Sequence, residues 1–197
     1  RRKSNKGLTQ FQKLLLQLIV ALVFYVLFRQ FTSGDSYLRI SALGIDWNLG
    51  WFYGVFILFL LVGSSNAVNL TDGLDGLAGG LSAIAFIAFA LISLFIGKED
   101  VGIFCFVLTG ALAGFLMFNA YPARVFMGDT GSLALGGFVA GCAYMLQMPV
   151  FLLIVGLIYV IEVLSVMIQV TYFKKTGGKR TFDGTVPIAV LLHQSLA

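Results

Sequence analysis

Charge is what this 197-residue chain has least of. Charged residues make up 11% of it, against about 25% in an ordinary soluble domain, so a soluble globular fold is excluded. Cysteine is nearly as scarce. Cys105 and Cys142 both lie inside apolar stretches, so they read as small buried hydrophobes and not as a disulfide framework or a zinc site. Histidine occurs once, as His193 in an apolar tail without a partner motif, and it is given no role. What fills the chain instead is 59% hydrophobic residues, 19 of them Phe. That excludes disordered and collagen-like classes and leaves a multi-span membrane protein.

About 20 apolar residues cross the hydrocarbon core of a bilayer. Cutting the chain at its polar breaks gives spans near 11–31, 51–66, 80–97, 101–118, 131–147 and 150–173. Each is apolar on all sides, and none alternates polar with apolar residues as a transmembrane strand does. The expected fold is an all-α integral membrane bundle of about six transmembrane helices. One side of it carries Arg1, Arg2, Lys3, Lys6, Lys13, Arg124, Lys174, Lys175, Lys179 and Arg180, the other only Arg29, Arg39 and Lys98. The positive-inside rule makes the first side cytoplasmic. The net charge of +4 reflects this asymmetry, and no nucleic-acid partner is implied by it.

The external connection 32–50 reads as packing and anchoring, with a short hairpin over Tyr37 to Asp46 and with Trp47, Trp51 and Tyr53 as interfacial rings. The other external turns, around Lys98-Glu99-Asp100 and Met148-Pro149, are too short to carry a site. The chain opens on Arg1-Arg2-Lys3 with no initiator Met and no leader pattern, and it is expected to be a fragment.

Of nine acids, three fall in the two short internal cytoplasmic loops: Asp72 and Asp75 in one, Asp129 in the other. Carboxylates gathered at a water–lipid boundary repel one another and are costly to desolvate, so a bound cation is the economical explanation. With oxygen ligands only, that cation is Mg²⁺ or a relative, which typically shares one or two carboxylates with substrate phosphates. Gly73, Gly76, Gly128 and Gly131 would let the backbone approach such a ligand. Asp-Gly is also ordinary turn chemistry, and an Asp before a helix is often an N-cap. Two such loops on one face favour the ligand-binding reading. The loops share Asn-Ala at their starts and Gly-Gly at their ends, a likeness read as coincidence because apolar helices resemble one another cheaply.

Glu162 lies in the middle of the last span, with Gln169 seven residues on along the same face. An ionised group at that depth should face the bundle interior and a partner, in a structural or a functional role. Lys13, at the cytosolic start of the first span, is read as a snorkelling anchor within reach of a phosphate.

At the two loops the sequence becomes specific. Asn66-Ala-Val-Asn-Leu-Thr-Asp-Gly-Leu-Asp-Gly-Leu-Ala78 together with Asn119-Ala-Tyr-Pro-Ala-Arg-Val-Phe-Met-Gly-Asp-Thr-Gly-Ser-Leu-Ala-Leu-Gly-Gly137 closely resembles the bacterial phospho-N-acetylmuramoyl-pentapeptide transferases (translocases). These form a family of the polyprenyl-phosphate N-acetylhexosamine-1-phosphate transferase superfamily. The resemblance runs through essentially the whole chain to Phe182, including Gly7-Leu-Thr and the helix Ile161-Glu-Val-Leu-Ser-Val-Met-Ile-Gln169.

The resemblance implies a bacterial plasma-membrane enzyme of peptidoglycan synthesis, multi-pass and with its active site on the cytoplasmic face. It would transfer phospho-MurNAc-pentapeptide from UDP-MurNAc-pentapeptide to undecaprenyl phosphate, giving lipid I and UMP. Phosphoryl transfer needs charge neutralisation and in-line positioning, which a loop-held Mg²⁺ supplies. Carried over by motif, Asp129 is the Mg²⁺ ligand and, with Asp72, catalytic. Asn69, Asp72 and Asp75 handle uridine and phosphate, with Asp75 at the uracil edge. Phe126 stacks on uracil, a role its flat face can perform, and Lys13 lies near a family lysine of the active site.

Two departures stand out. The family's paired aspartates have no counterpart here, and the histidine run expected soon after Lys179-Arg-Thr-Phe182 is missing, with Asp183-Gly-Thr-Val-Pro-Ile-Ala-Val-Leu191 in its place. Residues 1–182 are therefore expected to be a partial transmembrane catalytic domain without its N-terminal spans, and 183–197 a divergent or truncated tail. Such a fragment is expected to be inactive alone. Two other readings compete: a sister transferase using another UDP-N-acetylhexosamine, and a transporter, which would bind near the bilayer midplane where only Glu162 is deep. Thr71 and the stretch Phe126 to Leu135 fit the first family better. Spans this apolar also allow a homodimer.

Overall fold

The computed structural model describes residues 8–31, 36–40 and 44–176. The expected boundary at Phe182, the tail 183–197 and His193 lie outside the described residues. The elements are α1 (Gln10–Phe31), β1 (Tyr37–Ile40), β2 (Ile45–Asn48), α2 (Phe52–Thr71), α3 (Leu77–Phe95), α4 (Glu99–Asn119), α5 (Gly128–Met145), α6 (Phe151–Val155) and α7 (Leu157–Lys175). Among the described residues four helices, α1 to α4, are long and apolar enough to cross a membrane. The chain is an all-α integral membrane protein with one antiparallel hairpin, Tyr37 opposite Asn48 and Ile40 opposite Ile45.

Three boundaries differ from the sequence reading. α2 runs on to Thr71, so Asn66 and Asn69 lie on a helix and not in a loop. At the membrane boundary polar side chains need not end a helix, because the continuing ladder keeps the backbone bonded: Thr71 Oγ1 donates to the Ala67 carbonyl (2.9 Å), and the Asp72 N–H to that of Val68 (3.1 Å). α5 opens on the polar turn Gly128-Asp129-Thr130-Gly131 and is not among the four candidate spans. The sixth span is broken at Gly156 into α6 and α7. A Cβ there would lie 2.7 Å from the Leu152 carbonyl oxygen, so glycine permits the kink.

Lipid tails solvate Leu and Phe as well as another helix does, so helices in a bilayer associate through small residues that let backbones meet. That is how α2 meets α5: a Cβ on Gly136 would stand 2.3 Å from the Ser64 carbonyl oxygen, and Ser64 Oγ donates to the Gly136 carbonyl at 2.8 Å. α3 packs most extensively on α4, and α2 on α5, with α1 laid along α2. Tyr144 anchors the opposite end of the core, its ring ringed by Phe24, Phe28, Tyr53 and Phe56 at centroid distances of 5.9 to 6.4 Å. Tyr53, expected at the interface, is therefore in the core, only 1% exposed, whereas Trp47 and Trp51 are exposed as expected. Glu162 is buried, as its depth requires.

Gly136→Leu should wedge α2 from α5 and cost at least about 2 kcal/mol. Gly110→Ala, where nothing lies within 4 Å of the added methyl, should be tolerated. Thermal unfolding in detergent, followed by intrinsic fluorescence, separates the two.

Candidate active site

The α2–α5 contact decides what meets at one end of the bundle. Asn69 lies on the last turns of α2, and its Nδ2 donates to Asp129 Oδ1 at 3.1 Å and to Ser132 Oγ at 2.8 Å. Ser132 is fully buried, and its own hydroxyl donates a hydrogen bond to the Gly128 carbonyl (3.0 Å). Asp129 occupies the first turn of α5, where the positive end of the helix dipole favours a carboxylate. Its other oxygen, Oδ2, takes a hydrogen bond and ion pair from Lys13 Nζ on α1. Three helices thus converge on one carboxylate. Asn66, five residues before the α2 end, donates to Gln17 Oε1 and tethers α1 alongside (2.8 Å).

A second set of bonds ties the loops together. Asp75 Oδ2 accepts the Ala123 N–H at 2.9 Å. Asn119 accepts the Gly76 N–H through Oδ1 (3.1 Å) and donates through Nδ2 to the Val125 carbonyl (2.8 Å). Gly76 sits at φ +75°, with a Cβ position 3.4 Å from Ala120 Cα. A left-handed backbone this close to its neighbour requires glycine. The loops 72–76 and 120–127 behave as one bonded platform beside the Lys13–Asp129 pair.

The two acids near each other ionise differently. The Lys13 and Asn69 hydrogen bonds hold the Asp129 carboxyl below its ordinary range. Burial, and then the charge of Asp129, push the Asp72 carboxyl above it. On acidification Asp72 takes its proton first and relieves a burial penalty, while the Lys13–Asp129 attraction is lost only at lower pH. Environments that drive neighbouring carboxyls apart mark sites of proton or charge chemistry.

Among the sequence-expected residues, the structure brings Lys13, Asn69, Asp72 and Asp129 together. Asp75 is the loop tie, and Phe126 stands at the mouth, 74% exposed as a residue. Ser132 and Asn119 were missed. Each is an ordinary polar residue in the motif, and only the fold shows that it orients Asp129 or the loops. Among the described residues no group of three or more His, Cys, Asp or Glu side chains is arranged to hold a metal by itself. Asp72 and Asp129, both oxygen donors at a solvent-facing mouth, fit the mode in which one or two carboxylates share Mg²⁺ with a ligand's phosphates.

The family described as glycosyl transferase family 4 matches residues 5–147. The chain is similar to a phospho-N-acetylmuramoyl-pentapeptide-transferase of Listeria monocytogenes, 52% identical over 183 residues, which are 93% of this chain and 56% of that protein. It is similar also to those of Geobacillus thermodenitrificans, 54% identical over 182 residues (91% and 55%), and Oceanobacillus iheyensis, 52% over 181 (91% and 55%). The chain thus spans a little over half the length of the curated relatives it matches.

Asp129→Asn should bring the Asp72 titration down towards the ordinary carboxylate range but not fully into it, since burial is the larger cause. Carboxyl carbon NMR shifts against pH in detergent micelles would show this, and an unmoved Asp72 would contradict the proximity. Separately, Asp75→Ala should free the Ala123 amide and speed its hydrogen exchange by about tenfold, the equivalent of one lost hydrogen bond; exchange mass spectrometry reads it directly.

Proposed function

The chain belongs to glycosyl transferase family 4, and on that footing we propose that the protein it represents transfers phospho-MurNAc-pentapeptide from UDP-MurNAc-pentapeptide to undecaprenyl phosphate. An oxygen of the lipid phosphate forms the new bond to the sugar-linked phosphorus, the pyrophosphate bond breaks, and UMP leaves with lipid I as product. The observation that supports this is the convergence of Lys13, Asn69, Asp72 and Asp129 at one end of an apolar bundle. A reaction between a soluble nucleotide and a membrane lipid needs its charged centre at the boundary between the two phases. The Lys and Arg distribution supports a cytoplasmic position for that end, and a bacterial plasma membrane is the setting this reading takes.

In this reading Asp129 and Asp72 hold Mg²⁺, which when bound neutralises phosphate charge. Asn69 fixes the orientation of the Asp129 carboxylate, and Ser132 fixes Asn69. Lys13 balances Asp129 and turns to a phosphate oxygen as the ligand enters. Asp75 uses one oxygen on the Ala123 amide and offers the other to the uracil edge, while Phe126 stacks on the ring. The product would feed peptidoglycan synthesis, and with it cell shape and division. Two copies pairing through apolar spans fits the same setting.

The test is UMP release in membranes holding this stretch in place of the matching part of the Listeria relative, with UDP-MurNAc-pentapeptide, undecaprenyl phosphate and Mg²⁺. Release is expected. Asp129→Asn should reduce kcat by at least about 100-fold, and Asp75→Ala should raise the nucleotide KM about tenfold, some 1.4 kcal/mol of binding. Undiminished turnover with Asp129→Asn, or preference for UDP-N-acetylglucosamine, would overturn the assignment.

A further inference from the structure

The two cysteines, which the sequence presents as unrelated small hydrophobes 37 residues apart, face one another across two helices. Cys105, on the second turn of α4, and Cys142, on the last turn of α5, are 0% and 3% exposed. Their sulfurs are 3.5 Å apart, with the Cys105 thiol donating to Cys142, and both are reduced. Among the described residues the pair belongs to no group of three or more metal-ligating side chains. It lies at the end of the bundle remote from Asp129, close to where Lys98 Nζ donates to the Met145 carbonyl (2.5 Å).

α4 and α5 have few other links. Apart from Lys98 and the cysteines, the rings of Phe104 and Phe138 meet edge to face at 5.8 Å. A largely apolar groove of about 680 Å³ runs along α1, α2, α4 and α5, from Lys13 at one end to Met145 at the other, and Cys142 lines it together with Phe104, Phe138 and Gly141. Water-borne oxidants are poorly suited to such a lining, and lipid-soluble ones are well suited. A disulfide needs its sulfurs at about 2.0 Å, so the two have to approach by roughly 1.5 Å.

We propose that Cys105 and Cys142 form a modification site, a thiol pair that a lipid-soluble two-electron oxidant of the quinone class converts to a disulfide joining α4 to α5. The two thiols give up two electrons and two protons as one S–S bond forms, and the quinone takes up both to become the hydroquinone. The link would staple the helices that flank the 120–127 loop at their far ends and leave the polar cluster untouched.

The experiment uses the 197-residue chain, in which these are the only cysteines, in membrane vesicles treated with duroquinone, whose fully substituted ring cannot be arylated by thiols. After denaturation in SDS, a maleimide–polyethylene glycol reagent counts the remaining thiols. Two labels are expected before treatment and none after it, with a mass loss of about 2 Da in a single chain and both labels restored by dithiothreitol. Cys105→Ser and Cys142→Ser should each keep one reactive thiol through the same treatment. Two labels persisting in the oxidised chain, a mass gain, or a disulfide between two chains would overturn the proposal. Loss of the label in either single variant would do the same.

Discussion

At Gly136 the backbone of α5 lies so close to that of α2 that not even a methyl group would fit. The polar end of the molecule is built on this approach. The two helices run antiparallel, so moving from the contact towards that end takes α2 from Ser64 to Asn69 and α5 from Gly136 back to Ser132. At a rise of about 1.5 Å per residue these are steps of roughly 7.5 and 6 Å. Asn69 and Ser132 arrive side by side, and one amide group reaches both Ser132 and Asp129. A wider crossing would leave the same residues at the same depth but out of hydrogen-bond reach.

Charge is used sparingly, and among the described residues opposite charges are paired closely where Lys13 meets Asp129. Asp129 is neighboured by a cation and an amide, Asp72 by burial and by Asp129 itself. The two acids therefore answer differently to the same solvent, one held ionised and the other reluctant to ionise. Lys13 does more than anchor α1. It supplies the counter-charge without which the helix-end carboxylate would stand next to a second acid with only the Asn69 amide and the α5 dipole to offset it.

Much of this was legible in the residues. Apolar run length placed the helices, and the positions of Asp72, Asp75 and Asp129 marked one face, because both signals are local. Most of the failures depend on partners distant along the chain; the helical position of Asn66 and Asn69 is the local exception. Lys13 and Asp129 are 116 residues apart, and no spacing announces their meeting. Asp75 reads as a ligand-facing acid, yet one of its oxygens holds the Ala123 amide. Tyr53 looks like an interfacial ring until Tyr144 turns it inward. Asn66 and Asn69 look like loop residues because polarity suggests a stop, whereas at a membrane boundary a helix loses nothing by carrying on into the headgroup layer.

The helix pairing is also nested. α3 and α4 are neighbours in the chain, joined by a short turn around Lys98, and they share the largest interface; α2 and α5, which share the next largest, enclose them in sequence. The inner hairpin can form from local contacts alone. Once it has, the ends of α2 and α5 are separated by a compact unit and not by some fifty flexible residues, so the entropy of closing the outer pair falls. On this argument the carboxylate cluster, which needs α1, α2 and α5 together, forms after the inner hairpin rather than with it.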